Sequence, residues 1–292
     1  MPTRCYASVG NNSYLVVLII VRERKTIHSQ LISTSIEKSY LEEEKEEEEE
    51  EEQSNKMAPK ILVVLTSQNK IPKTGAQTGW YLPEFAHPHE VLHTKADLTI
   101  ASPHGGEAPL DPNSVKAFEK DEISQKFLKE QKNLWTNTAK LADLVSKAGE
   151  FDAIFYVGGH GPMFDLVDEP NSLALIQSFA AAKKPVAAVC HGPVALLNAT
   201  APSGVPLISG ASVTGFSNEE ETQVGLLEAM PFPLETELNR VSGGGYVKAD
   251  QAWGEKVVVA KTAGTGAPLI TGQNPASASG VGKAILQALG VH

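Results

Sequence analysis

The chain is poor in cysteine: two in 292 residues, Cys5 and Cys190, on opposite sides of a low-complexity tract. So sparse a complement argues against a disulfide framework and fits a reducing compartment, the cytosol first with the nucleus also open. Long apolar runs are lacking too. Leu15 to Val21 is too short to cross a bilayer, and its polar leader and missing small-residue cleavage site make a poor secretory signal, so no membrane anchor is expected. There is no basic stripe and no aromatic-basic interleaving, which excludes nucleic acid as an expected partner. Nor does a G-x-G-x-x-G follow the first apolar run, which removes the usual dinucleotide reading.

Acidic charge is present but local. Of the formal net charge of −10, residues 1–56 carry −5, from 12 acidic and 7 basic side chains. Most of it lies in "LEEEKEEEEEEE" (41–52), where like charges repel and almost nothing can be buried. A disordered, solvated leader over 1–56 is expected. "MAPKILVVLTS" then reads as an ordinary protein start at Met57, which questions whether the leader belongs to the native protein.

From Lys60 onward short apolar runs alternate with longer amphipathic ones. "KILVVLTS" (60–67), "ADLTIASP" (96–103), "FDAIFYVGG" (151–159), "PVAAVCHG" (185–192) and "KVVVAKTAG" (256–264) read as strands buried on both faces. "LPEFAHPHEVLHTK", "EISQKFLKEQKNLWTNTAKLADLVSKA" and "EPNSLALIQSFAAAKK" have helical spacing. The alternation predicts one α/β domain over 57–292 with a mostly parallel sheet. Residues 104–140, rich in turn formers, read as an insertion rather than a core unit. In such sheets ligands bind beyond the carboxyl ends of the strands, where "VGGHGPMFDL", "VCHGP" and "VTGFSNEEE" fall.

Cys190 stands where an apolar run meets Gly-Pro, a strand-to-helix elbow that would lift the sulfur into the crevice. A helix beginning near Pro193 would lower its pKa and favour the thiolate; against this, cysteine is often an inert core residue. His191 is the candidate base, if the elbow returns its ring over the sulfur. A third group must hold its tautomer, and the residues alone leave Glu219, Glu220 and Glu221 open. Gly159 and the His191 amide could form an oxyanion hole, and His160 could contact substrate or be a satisfied turn histidine. Glu84, on the helix after the first strand, is either a carboxyl buried against the sulfur with a raised pKa or an ordinary surface glutamate. His87, His89, Glu90 and His93 match no tight zinc motif, so no metal is expected.

Six ordered segments, "ILVVLTS", "TGWYLPEFAHP", "GGHGPMFDL", "AAVCHGPVALL", "VTGFSNEEET" and "LITGQNPASAS", resemble the PfpI superfamily of class I glutamine amidotransferase-like proteins. Within it the chain is most similar to the fungal glutathione-independent glyoxalase, or D-lactate dehydratase, branch, also described as heat-shock chaperone-like. The resemblance covers Met57 to the C-terminus and implies a flavodoxin-like three-layer sandwich. It implies Cys190 as nucleophile, His191 as base, Glu84 as the glutamate near the sulfur, and Glu221, before Thr222 in T-G-F-x-x-x-x-E-T, as the triad acid. It further implies conversion of methylglyoxal and water to D-lactate without a cofactor, and it allows a homodimer. A stress-related holdase chaperone, or a protein deglycase or amidase using the same cysteine, is the alternative.

Overall fold

The computed structural model describes residues 58–291. The expected solvated leader over 1–56, with Cys5, lies outside the described residues. Among these, seven strands form one sheet: β1 Lys60–Val64, β2 Asp97–Ser102, β3 Ala139–Lys140, β4 Ala153–Tyr156, β5 Val186–Val189, β6 Val257–Lys261 and β7 Pro268–Gly272. Their order across the sheet is β3-β2-β1-β4-β5-β7-β6. Every pairing is parallel except β6 with β7, which makes β6 an antiparallel edge. The helices are α1 Leu82–Leu92, α2 Pro112–Ala117, α3 Glu122–Glu130, α4 Asn133–Thr136, α5 Pro162–Asp165, α6 Pro170–Ala181, α7 Asn218–Gln223, α8 Leu234–Ser242 and α9 Ala278–Ala288.

The central strands β4 and β5 are buried at every residue, and β1 at all but Lys60, as expected for parallel strands covered on both faces. The sheet grows outward in opposite directions from β1 and β4, so right-handed crossovers place α1 and α6 on opposite faces. This is the flavodoxin-like three-layer arrangement. Against α1 packs α9, whose Gly282 comes so close to Pro88 that an added Cβ would lie 3.2 Å from its Cα.

Three expectations are corrected. The periodic stretch 122–148 is not one helix: α3 ends before Gln131, α4 is a single turn, β3 follows, and short 3-10 turns complete it. Thr138 exchanges two 2.9 Å backbone hydrogen bonds with Gly106, and β3 pairs with β2, so partners across space override local helical spacing. Nor is 104–140 a mere insertion. It supplies the edge strand β3 and buries Phe127 and Trp135 in an edge-to-face cluster with Trp80 and Phe85. Finally, the sequence reading gave no strand to Pro268–Gly272, which is β7 and sits between β5 and the edge.

Candidate active site

The order of the strands reverses at β1 and β4, and the candidate site residues gather beyond their carboxyl ends, Glu84 and His191 fully buried there. Four chain segments meet there: the start of α1 after β1, the glycine-rich turn after β4, the elbow after β5, and the loop leading into α7. Cys190 follows the last residue of β5 and turns at φ +60°, a left-handed conformation that a side chain adopts only under constraint. The constraint is visible on both sides of the peptide. Its N–H donates to the Gly272 carbonyl of β7 (2.9 Å), and its own carbonyl accepts from the Phe216 N–H (2.8 Å).

Glycine is obligatory at the facing turn. A Cβ on Gly158 would lie 2.4 Å from Glu84 Oε2, 2.5 Å from the Val189 carbonyl oxygen and 2.7 Å from Cys190 Cβ, so the three groups converge on a position with no room for a side chain. Glu84 is completely buried in the first turn of α1. The Cys190 thiol and the amides of Gly158 and Gly159 face its carboxyl, yet neither oxygen completes a well-formed hydrogen bond. Burial pushes this carboxyl well above the ordinary carboxylate range, which favours its protonated form.

The expectation of a lowered cysteine pKa is overturned. Burial pushes the Cys190 thiol up, and negative charge on Glu84 would push it further. The residues after the elbow, Gly192–Leu196, form a short 3-10 segment rather than a regular helix aimed at the sulfur. Burial thus favours the protonated form of both the thiol and the carboxyl beside it.

His191 lies within reach of the sulfur after all, its Nδ1 3.3 Å from Cys190 Sγ. Its Nε2 is 2.6 Å from Glu221 Oε2. With Glu221 a carboxylate, Nε2 carries the hydrogen and donates it, which leaves Nδ1 free to accept the thiol proton. Burial holds the His191 pKa below the ordinary histidine value, and the neighbouring His160 lowers it further, against the opposite pull of Glu221.

The three consecutive glutamates have three different environments. Glu219 is near the surface. Glu220 is fully buried and accepts from Ser217 N–H and Oγ–H, Trp253 N–H, Gln273 Nε2 and Asn274 Nδ2. Glu221 takes the histidines. Burial alone would raise its carboxyl, but His191 and His160 outweigh burial and hold it well below the usual range.

His160 is where the reading of single residues fell short. It does not project freely: its Nε2 meets Glu221 Oε1 at 2.8 Å, and its ring centroid lies 4.3 Å from that of His191. Glu221 therefore bridges two imidazoles. A histidine in a glycine-rich turn carries no local signal for such a role. Tyr81 was also passed over; it is half-buried at the start of α1, and burial first of all pushes its phenol up. Phe216 was another, its ring 4.5 Å from His191.

Among the described residues, His160, His191 and Glu221 form the one group of potential metal ligands, their ligand atoms within 4.8 Å of one another. That donor set suits a divalent ion, but its nitrogens and oxygens already satisfy each other. The histidines of α1 do not converge: His87 pairs with Asp121 (2.9 Å), and His89 stacks on His93 (4.7 Å between centroids). No helix among the described residues is long and apolar enough to cross a membrane.

The site can be compared with known proteins. The DJ-1/PfpI family pattern matches residues 84–225, from Glu84 to just beyond α7. "Glyoxalase 3" of Candida albicans is 30% identical over 228 residues, 75% of this chain and 93% of that protein. "Glutathione-independent glyoxalase HSP31" of Saccharomyces cerevisiae is 29% identical, covering 76% of this chain and 94% of that one. The crystal structure of Rapid Encystment Protein 24 KDa from Francisella tularensis superposes with a TM-score of 0.72 at 36% identity, over 79% of this chain and 99% of that one. Spanning almost the whole length of such relatives, and built around the segment that defines their common pattern, the chain belongs to the DJ-1/PfpI family.

Proposed function

We propose that the protein is a glutathione-independent glyoxalase that converts methylglyoxal and water to D-lactate. The observation that carries this reading is the pairing, at one buried thiol, of an imidazole and a buried carboxyl: His191 Nδ1 at 3.3 Å, and Glu84 with both oxygens unsatisfied. Two groups whose surroundings push their pKa values toward each other's side of neutrality suit proton transfer between adjacent carbons. The names of the Candida and Saccharomyces relatives support the same substrate class.

In this reading Cys190 Sγ bonds to the aldehyde carbon while its proton passes to His191, then to the former carbonyl oxygen, giving a neutral hemithioacetal. The amides of Gly159 and His191 receive the transient oxyanion. His191 next removes the hydrogen from the first carbon as Glu84 protonates the ketone oxygen, forming an enediol. Return of the His191 proton to the second carbon, and of the first carbon's hydroxyl proton to Glu84, gives a lactoyl thioester and restores both groups. Water cleaves the thioester, releasing lactate and the thiol. Glu221, with His160 on its other oxygen, holds His191 in the required tautomer. The low cysteine content fits action in a reducing compartment such as the cytosol.

The test incubates the full chain with methylglyoxal, without glutathione or added metal, and follows aldehyde loss and lactate by chiral assay. D-lactate from wild type and none from Cys190→Ala is expected. A folded wild-type protein that yields no lactate overturns the reading.

A further inference from the structure

Trp253 lies outside the segments that the proposed reaction uses, yet it has features of a built element. Among the described residues, three that are not glycine adopt positive φ: Lys183, Cys190 and Trp253, the last at +67°. Such a conformation is strained for a bulky residue, and it persists only where surrounding contacts determine it. At Trp253 those contacts come from α7. The Trp253 N–H donates to Glu220 Oε1 (2.8 Å), and the indole N–H donates to Gln223 Oε1 (2.6 Å). The same Glu220 oxygen accepts from Gln273 and Asn274, just after β7. One buried carboxylate thus ties the Trp253 turn and the end of β7 to the helix that carries Glu221.

The indole packs edge-on against Phe216, with centroids 5.5 Å apart, and Phe216 in turn lies 4.5 Å from His191. Phe216 is buried while Trp253 remains 41% exposed, so the indole is the outer cover of this aromatic series. The geometry points to Trp253 as a positioning residue: clasped by Glu220 and Gln223, it closes the outer side of Phe216 and keeps the His191 ring aligned between Cys190 and Glu221.

The groups facing His191 are Cys190, with Glu84 behind it, on the Nδ1 side; His160 and Glu221 on the Nε2 side; and Glu220 from within α7. None of these is altered by replacing the indole. Water admitted past Phe216 relieves the burial that holds the His191 pKa down, so its pKa rises. Because the base must be neutral, the acid limb of activity moves to higher pH.

This inference rests on the proposed reaction for its first readout only. Wild type, W253F, W253G and Q223A, each as the full chain, are compared for methylglyoxal turnover across pH. They are also compared for the pH dependence of Cys190 alkylation by iodoacetamide, with peptide mass spectrometry separating Cys190 from Cys5. Glycine tolerates the φ and removes the ring; W253F keeps a ring on Phe216. For W253G we expect kcat about tenfold lower, KM within about twofold, and the acid limb of both profiles raised by about half a pH unit or more. W253F should restore most of the loss, and Q223A, an exposed change that keeps the chain folded if W253G does not, should shift both limbs in the same direction by less. Unmoved acid limbs in folded W253G or in Q223A overturn the proposal. If wild type makes no lactate, the glyoxalase reading fails while the alkylation profiles still decide the role of Trp253.

Discussion

In the proposed reaction a sulfur, an imidazole and two carboxyls carry the chemistry, and the surroundings of each bias its protonation. Glu84 needs a transferable proton rather than a hydrogen bond alone. Glu84→Gln, which keeps the shape and can still donate, should leave Cys190 alkylation within severalfold of wild type while lowering lactate formation by about 100-fold or more. Parallel kinetics of the two reactions check this. Glu221→Gln loses the carboxylate that fixes two imidazoles, and kcat should fall by about 100-fold to 10,000-fold. Its pH signature is distinctive. The Glu221 charge raises the His191 pKa, so its removal lets that pKa fall further, and the acid limb of kcat/KM should move to lower pH, opposite to W253G. A pH profile of the residual activity measures the sign.

At the scale of elements, the site is assembled from ends of strands, and its precision depends on backbone approach. The turn after β4 comes so close to β5 and α1 that Gly158 is hemmed in by Glu84, the Val189 carbonyl and Cys190. The carbonyl cannot rotate away without breaking the sheet. Gly158→Ala should therefore cost about 3 kcal/mol in a urea titration and abolish turnover together with it. α7 shows the other device. Its capping box, with Ser217 and Glu220 bonded reciprocally, fixes the helix start at the residue that puts Glu221 beneath the histidines.

For the whole molecule, pH changes the balance of buried charge at Asp165. Asp165 accepts from Thr66 Oγ1 and the Ser67 N–H, and burial raises its pKa from 3.8 to about 6 despite those bonds. Between those two values the folded chain binds more protons than the unfolded chain, so its stability falls as pH rises through the window. Asp165→Asn removes this term. After allowance for partial screening, the wild-type decline between about pH 4 and pH 6 should exceed that of the variant by about 1–2 kcal/mol, measured by urea unfolding at each pH.

What the sequence by itself determined is what repeats along a chain or is forced by local stereochemistry. Apolar runs of strand length alternating with helical spacing specify a covered parallel sheet, and Gly-Pro after the run ending at Val189 marks the elbow at Cys190. Family resemblance within the same segments singled out Glu84, His191 and Glu221. Only the tertiary structure showed what the three adjacent glutamates do, Glu219 outside, Glu220 buried in its own network and Glu221 on the histidines, because their side chains differ in nothing but the direction imposed by the start of α7. It alone showed His160 on the second oxygen of Glu221, 61 residues away along the chain. It broke the periodic stretch 122–148, where a strand edge offered better backbone partners than a helix could. It also reversed the expected acidity of Cys190, since desolvation and a facing carboxyl depend on which surfaces close over the sulfur, and that closure is a property of the packed fold rather than of the residues on either side.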